Sequence, residues 1–269
     1  MRPTISIILP TCRRPDLLPR ALASVLAQEF GEYECVIVDD GGAAPVEVPD
    51  DSRLRVLRHS TNLGLAHALN TGLDAAHGDY VTFLDDDDEL TPDRLAMVMP
   101  AVKTNDAVLC WVSADGAPHP VNRMLEGSVY DTILDTLAPA KGAVVLRRDR
   151  APRFDPRYLA LEDLDWWLRV TAAFAVVTVP RVGYVIHQHD GERGTTGPMA
   201  RLRSGQLLLD EHAEYFRTHR RAAALRWRIV GSIAMNVGDR ALARRAFARS
   251  LRAAPTARTL KRLARSLVS

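Results

Sequence analysis

In the N-terminal third of the chain, short continuous apolar runs alternate with apolar positions spaced three and four apart. Residues 5–9 are a short β-branched run, and Leu17, Leu18, Ala21, Leu22, Val25 and Leu26 follow at helical spacing. The strand pattern returns at 35–38, 54–57 and 80–84, with Leu65, Leu69 and Leu73 marking a helix before the last of these. Asn62 is placed to cap that helix, and Gly78 lies beyond its end. This alternation predicts a mostly parallel sheet flanked by helices, with ligands at the C-terminal ends of the strands.

The middle of the chain is less regular. Residues 107–112 and 143–146 read as strands, with a helix around 130–136 between them. Leu164, Trp167 and Leu168 predict a helix over 161–171 that opens on Glu162 and Asp163, and 175–179 and 182–186 read as two further strands. The polar segment 187–198, with its glycines and threonines, is expected to be a loop. Beyond Arg201 the pattern is helical throughout. Two amphipathic segments, marked by Ala246, Phe247 and Leu251 and by Leu260, Leu263 and Leu267, are divided at Pro255. The stretch 239–246 is similar to one helix of a tetratricopeptide hairpin, but no second copy follows. The expected organisation is therefore an α/β domain over 1–200 and a helical extension over 201–269.

Composition narrows the function class. A hydrophobic content of 47% and a charged content of 25% are those of an ordinary globular protein. No apolar stretch reaches the length of a membrane span. The first apolar run is too short for a signal-peptide core and lacks a small-residue cleavage site. Cys12, Cys35 and Cys110 show no metal-binding spacing, so a reducing cytoplasm is expected. The net charge of +2 conceals an asymmetry: residues 217–269 carry 14 Lys and Arg against the single acid Asp239. A basic tail on an acidic body suits an anionic partner such as the inner face of a membrane, or it is a solvated arginine-rich face. No nucleic-acid-binding motif accompanies it, so no nucleic acid is expected. The same helices could equally pack against a second subunit as a homo-oligomer.

The chemistry concentrates where the strand 80–84 empties into Asp85, Asp86, Asp87 and Asp88. Adjacent carboxylates repel and are costly to bury, so they suit either a solvated turn before a helix or a hard divalent cation. Mg²⁺ and Mn²⁺ favour carboxylate oxygens and often share their shell with substrate phosphates. Two further polar clusters, Pro10-Thr11-Cys12-Arg13-Arg14 and Asp39-Asp40, fall at the ends of other strands. That convergence points to a shared site.

These motifs, in this order, resemble a family 2 glycosyltransferase of the GT-A fold, an inverting class that uses nucleotide-activated sugars. The resemblance covers roughly residues 5–189. Ile7-Ile8-Leu9-Pro10-Thr11 with Arg14-Pro15 resembles the family's first strand and nucleotide-binding loop, although Cys12 and Arg13 replace the usual aromatic residue and asparagine. Val38-Asp39-Asp40-Gly41 is similar to the second strand end, where the first aspartate contacts uracil. Asn62-Leu63-Gly64, with Ala68, Asn70 and Gly72, resembles the segment leading to the metal motif. Asp85 to Asp88 match the DxD region. The resemblance implies Asp87 as metal ligand with Asp85 orienting ribose or metal-bound water, in a register open by one residue. It implies nucleotide contacts for Pro10, Thr11, Arg14, Asp39, Asn62, Asp85 and Asp86. Asp163, in Glu162-Asp163-Leu164-Asp165, takes the position of the general base, and His189 that of a further metal or diphosphate contact, with His187 competing.

Each assignment has a plainer alternative. Asp163 could simply complement a helix dipole, Asp39 could form a turn, and the Trp166-Trp167 pair suits core packing better than sugar stacking. Arg193, Arg201 and Arg203 could clamp phosphate. A sugar nucleotidyltransferase would be expected to carry a glycine-rich phosphate loop after the first strand, which is absent here, and a non-catalytic scaffold leaves the three acidic motifs unexplained. The expected activity is transfer of a sugar from a nucleoside diphosphate, UDP foremost, to the hydroxyl of a glycan, lipid-linked or small-molecule acceptor. It would depend on Mg²⁺ or Mn²⁺.

Overall fold

β1 (Ile5–Thr11) is buried at every position, as a continuous apolar strand must be when both faces of its sheet are covered. α1 (Leu18–Leu26) buries Leu18, Ala21, Leu22 and Val25, and β2 (Tyr33–Asp39) is again buried throughout. β3 (Leu54–Arg58) lies at a sheet edge and is only half-buried. The chain continues through α2 (Leu65–Ala75), β4 (Tyr80–Phe83), β5 (Glu89–Leu90), α3 (Arg94–Val102), β6 (Ala107–Ala114), β7 (Val144–Arg147), α4 (Glu162–Ala173) and β8 (Val176–Ile186). Helices follow: α5 (Pro198–Glu211), α6 (Ala213–Thr218), α7 (Arg220–Asn236), α8 (Arg240–Ala253) and α9 (Ala257–Val268). This computed structural model describes residues 3–42, 44–114, 127, 129–134, 138–187 and 197–268.

The chain divides into two units. The first comprises Met1–Tyr130, Ala138–Pro156 and Trp166–Asp190; the second comprises Asp131–Leu137, Arg157–Asp165 and Gly191–Ser269. The first holds an 8-stranded sheet in the order β3-β2-β1-β4-β7-β6-β8-β5. β1 pairs in parallel with both β2 and β4. The chain steps outward from β1 to β2 and β3, then returns to the other side of β1 as β4. That reversal opens a crevice at the C-terminal ends of β1 and β4, the place where open α/β sheets bind ligands.

Three local expectations change. The strands expected over 175–179 and 182–186 are one strand, β8, with an irregular register against β6 in which Val179 and Val182 pair with Cys110 and Trp111. Pro180 has no amide to give a ladder, so the break in pattern is a bulge and not an end. Asn62 does not cap α2; its side chain donates to Cys12 Sγ at 3.1 Å. The amides leading into α2, Leu63 N and Gly64 N, instead donate to Asp40 at 2.9 and 2.8 Å. Within the expected helix at 130–136, residues 130–134 form turns. β5, at 2 residues, is too short to show a pattern in the sequence. The break at Pro255 is present: Ala254 is extended (φ −152°, ψ 113°), as a residue before proline must be.

Beneath β4, the Phe83 ring meets Phe154 and Trp166 edge-on, each at 5.4 Å, while Phe154 and Trp166 stack at 5.1 Å. Trp166 and Trp167 are fully buried and donate to the carbonyls of Pro152 and Pro139. Both belong to the core. Asn70, buried on α2, ties this cluster in place: its Nδ2 donates to Phe154 O at 2.8 Å and its Oδ1 accepts from Phe154 N at 2.9 Å. In the second unit, Gly231 of α7 faces Phe247 of α8 so closely that a Cβ would lie 2.7 Å from the ring.

Asn70→Leu would orphan both backbone groups of Phe154, each at a cost of about 1–3 kcal/mol. The variant should unfold at clearly lower urea with an unchanged m-value. A midpoint equal to the native one would show that the clasp contributes nothing.

Candidate active site

The four aspartates after β4 do not point the same way. Asp86 and Asp88 are buried, while Asp85 and Asp87 are half-buried. Asp86 turns back toward the loop after β1, where Oδ2 accepts from Thr11 Oγ1 at 2.7 Å and Oδ1 from Arg14 Nη1 at 2.9 Å. Asp88 turns toward β8, accepting from Tyr184 OH at 2.8 Å and from His187 N at 3.1 Å. Asp87 Oδ2 accepts from Arg14 Nη1 at 3.0 Å, and Arg20 donates to the Asp87 carbonyl. Asp85 pairs with Lys141 Nζ at 2.5 Å.

Burial raises the pKa of Asp86, opposed by Thr11 and Arg14. Burial also raises that of Asp88, and the neighbouring charges of Asp85 and Asp87 add to it. Tyr184 and the His187 amide pull the other way, and the pKa comes to about 7. Arg14 is held above its ordinary value: burial works against its charge, but Asp86 and Asp87 overcome it.

The loop after β1 reaches this cluster through backbone strain. Arg13 has φ 56°, a left-handed conformation that a non-glycine residue adopts only when its surroundings impose it. Pro10 is buried within β1 and pairs with Val38. Asp39 is fully buried: its carboxylate accepts from Gly42 N and Val46 N, each at 3.3 Å, and Arg58 Nε lies 3.2 Å away. As placed, Asp39 builds the turn that follows β2. That turn needs Gly41, at φ 74°, since a Cβ there would lie 2.2 Å from the Thr61 carbonyl carbon.

Lys141 and Tyr184 were not singled out from the sequence. Lys141 stands alone in an irregular segment, and Tyr184 reads as a core position of a strand. The structure gives both a precise setting. Lys141 opens a single 3₁₀ turn, Lys141–Ala143, held by the buried Arg94, whose Nη2 donates to Ala143 O at 3.0 Å. Gly142 lies against the Tyr184 ring, where a Cβ would approach to 2.0 Å. Only the neighbouring glycine at 142 hints at such packing in the sequence.

Asp163 falls in the second unit, on the first turn of α4. Its Oδ1 accepts from Leu164 N at 2.9 Å, and its charge opposes the burial that lowers the pKa of the half-buried Arg226. Leu161, immediately before the helix, has φ 62°, the other left-handed non-glycine residue among those described. Asp165 accepts His212 Nε2 at 2.8 Å. Arg201 and Arg203 are exposed on α5. His189 and Arg193 lie outside the described residues. His187, the competing histidine, has its Nε2 3.3 Å from Glu89.

The family model for glycosyl transferase family 2 matches residues 6–146, from β1 through β7. The chain belongs to that family. Among its relatives, the putative colanic acid biosynthesis glycosyl transferase WcaA of Escherichia coli is 37% identical over 103 residues, 36% of this chain and 37% of WcaA. The GalNAc(5)-diNAcBac-PP-undecaprenol beta-1,3-glucosyltransferase of Campylobacter jejuni is 36% identical over 104 residues, 36% of this chain and 34% of that protein. The match thus spans little more than a third of either relative. In three dimensions, S. aureus TarS 1-349 in complex with UDP-GlcNAc superposes with a TM-score of 0.68 at 18% identity, covering 93% of this chain and 81% of TarS. The mannosyltransferase PcManGT of Pyrobaculum calidifontis, in complex with GDP-Man and Mn2+, gives 0.57 at 20% identity, covering 99% and 80%. At these identities the likeness is one of fold, and the fold is of the GT-A type.

In this family 2 chain, a divalent cation would find hard carboxylate oxygens at Asp85 and Asp87. No group of three or more His, Cys, Asp or Glu among the described residues is arranged to enclose an ion. Two carboxylates suit a hard cation that takes its remaining ligands from phosphate and water.

With a chelator present, the raised Asp88 carboxyl gives a signed pH effect. Its folded pKa of about 7 lies above the ordinary unfolded value of about 3.9, so its contribution is greatest below that lower value and is lost as pH rises to 7. Asp88→Asn should therefore gain stability relative to the native chain between pH 5 and about pH 8. Urea midpoints at the two pH values measure this; a difference independent of pH would contradict it.

Proposed function

We propose that this chain is an inverting glycosyltransferase that moves a sugar from a nucleoside diphosphate, UDP foremost, to an acceptor hydroxyl. The observation that carries the reading is the convergence at the β1–β4 crevice of Thr11, Arg14 and Lys141 with an acidic turn whose half-buried Asp85 and Asp87 pair with Lys141 and Arg14. Cations and partly exposed carboxylates at the C-terminal edge of a sheet suit a diphosphate and the ion that accompanies it. Family membership and the nucleotide-sugar complexes of TarS and PcManGT support the same substrate class.

Asp87, with Asp85 beside it, would hold Mg²⁺ or Mn²⁺, which when bound would stabilise the negative charge of the departing diphosphate. Arg14 and Lys141 add fixed positive charge at the same edge, and Thr11 and Pro10 shape the loop against the nucleotide. Asp39 keeps the neighbouring turn, and Asn62 sits on the facing loop. Asp163 would take the proton of the acceptor hydroxyl as the new bond forms. The left-handed Leu161 fixes the entry to the helix that carries it. The acceptor class follows the relatives: a growing glycan or a lipid-linked saccharide.

Nucleotide binding and turnover separate these roles. UDP binding followed by calorimetry should require Mn²⁺ or Mg²⁺ and should be lost in Asp87→Ala. If UDP and GDP both fail to bind with either metal, the transferase reading falls. Asp163→Asn should bind UDP as the native chain does while turnover drops about 10²–10⁴-fold. A native rate in that variant would remove Asp163 from the chemistry.

A further inference from the structure

α9 (Ala257–Val268) presents its apolar side outward. Leu260, Leu263, Ala264 and Leu267 recur at helical spacing and share one face. Leu260 is 59% exposed and Leu267 62%, and Ala264 is exposed, whereas the polar Thr259 and Ser266 are buried. Hydroxyls and a carbonyl line the packed side: Thr259 Oγ1 lies 2.9 Å from Thr256 Oγ1 and 3.4 Å from Ser250 Oγ, and Ser266 O accepts from Arg244 Nε at 2.9 Å. A helix whose packing was complete within this unit would bury the leucines and expose the hydroxyls.

A basic face lies across the helix from the apolar one, the two adjoining at Ala264 and Lys261. Arg258, Lys261, Arg262 and Arg265 recur at the same helical spacing. Burial and the charges of Arg258 and Arg262 together lower the pKa of Arg228 on α7, so positive charge is crowded here. Residues 217–269 contain a single acid, Asp239, and it is engaged at the N-terminus of α8, accepting from Leu242 N at 2.9 Å. A second copy applying this same face would set one strongly basic surface against another. A sheet of negative charge over an apolar layer complements both faces at once.

We propose that α9 is a docking helix for an anionic membrane surface. Leu260, Ala264 and Leu267 enter the boundary between headgroups and acyl chains, and Arg258, Lys261 and Arg265 contact lipid phosphates, while Arg262 donates to Ser232 Oγ on α7. The inference stands apart from the transferase reading, since it uses no residue of the crevice.

Flotation of the full chain with vesicles of phosphatidylcholine alone, or mixed with phosphatidylglycerol, tests it. The chain should float only with the mixed vesicles, and partitioning should fall about fivefold for each of Arg258, Lys261 and Arg265 replaced by glutamine. Leu260→Gln/Leu267→Gln changes side chains already largely in water, so it should keep the native melting temperature and lose flotation. The proposal is overturned if the native chain fails to float, floats equally on neutral vesicles, or floats no better than the leucine variant. Sedimentation without lipid tests the rival occupant: a dimer that the leucine variant dissociates would assign the face to a second copy and overturn the membrane assignment.

Discussion

Consecutive carboxylates at the mouth of a buried strand are an electrostatic problem, and much of the first unit is arranged around solving it. Each neutralising group comes from a different part of the sheet: Arg14 from the loop after β1, Lys141 from the turn before β7, Tyr184 from β8. Buried charge of one sign is tolerated only when opposite charge and hydrogen bonds answer it. Here every carboxylate is answered, Asp85 by Lys141, Asp86 and Asp87 by Arg14 and Asp88 by Tyr184, with Asp86 and Asp88 buried and Asp85 and Asp87 half-buried. The acidic turn is shaped in advance of any ligand, which lowers the cost of organising it on binding.

Support for that arrangement runs downward into the core. Arg94, fully buried, grips the turn that carries Lys141, and Gly142 lets Tyr184 come close enough to reach Asp88. The aromatic cluster of Phe83, Phe154 and Trp166 sits immediately below and is clasped by Asn70. The two left-handed residues, Arg13 and Leu161, immediately precede Arg14 and the Glu162-Asp163 pair. Strain placed so close to the motif residues is what a scaffold holding side chains in uncommon directions would show.

Much of the fold was legible in the sequence because parallel strands buried on both faces read as unbroken apolar runs, as at β1 and β2. The crevice was legible too, since three polar clusters fell at strand ends. Other features carry no pattern. A lone lysine in an irregular segment does not announce that it meets Asp85, and a tyrosine in a strand looks like core. The directions of the four aspartates depend on how the chain turns after β4, which residue identity does not encode. Asn62 was the obvious cap by type and position, yet Asp40, far back in the chain, reaches the same amides. Local spacing cannot see a carboxylate delivered by another strand.

The same carboxylates link segments that are distant in sequence. Asp86 holds Thr11 and Arg14, Asp40 N donates to Thr11 O at 2.9 Å, and the Asp40 side chain holds the entrance to α2. The loop after β1, the turn after β2 and the first turn of α2 therefore form one mechanical assembly. Such an assembly opens cooperatively, with one opening free energy shared by its amides. A ligand gripping any one of the three would slow hydrogen exchange in all of them, including amides it never touches.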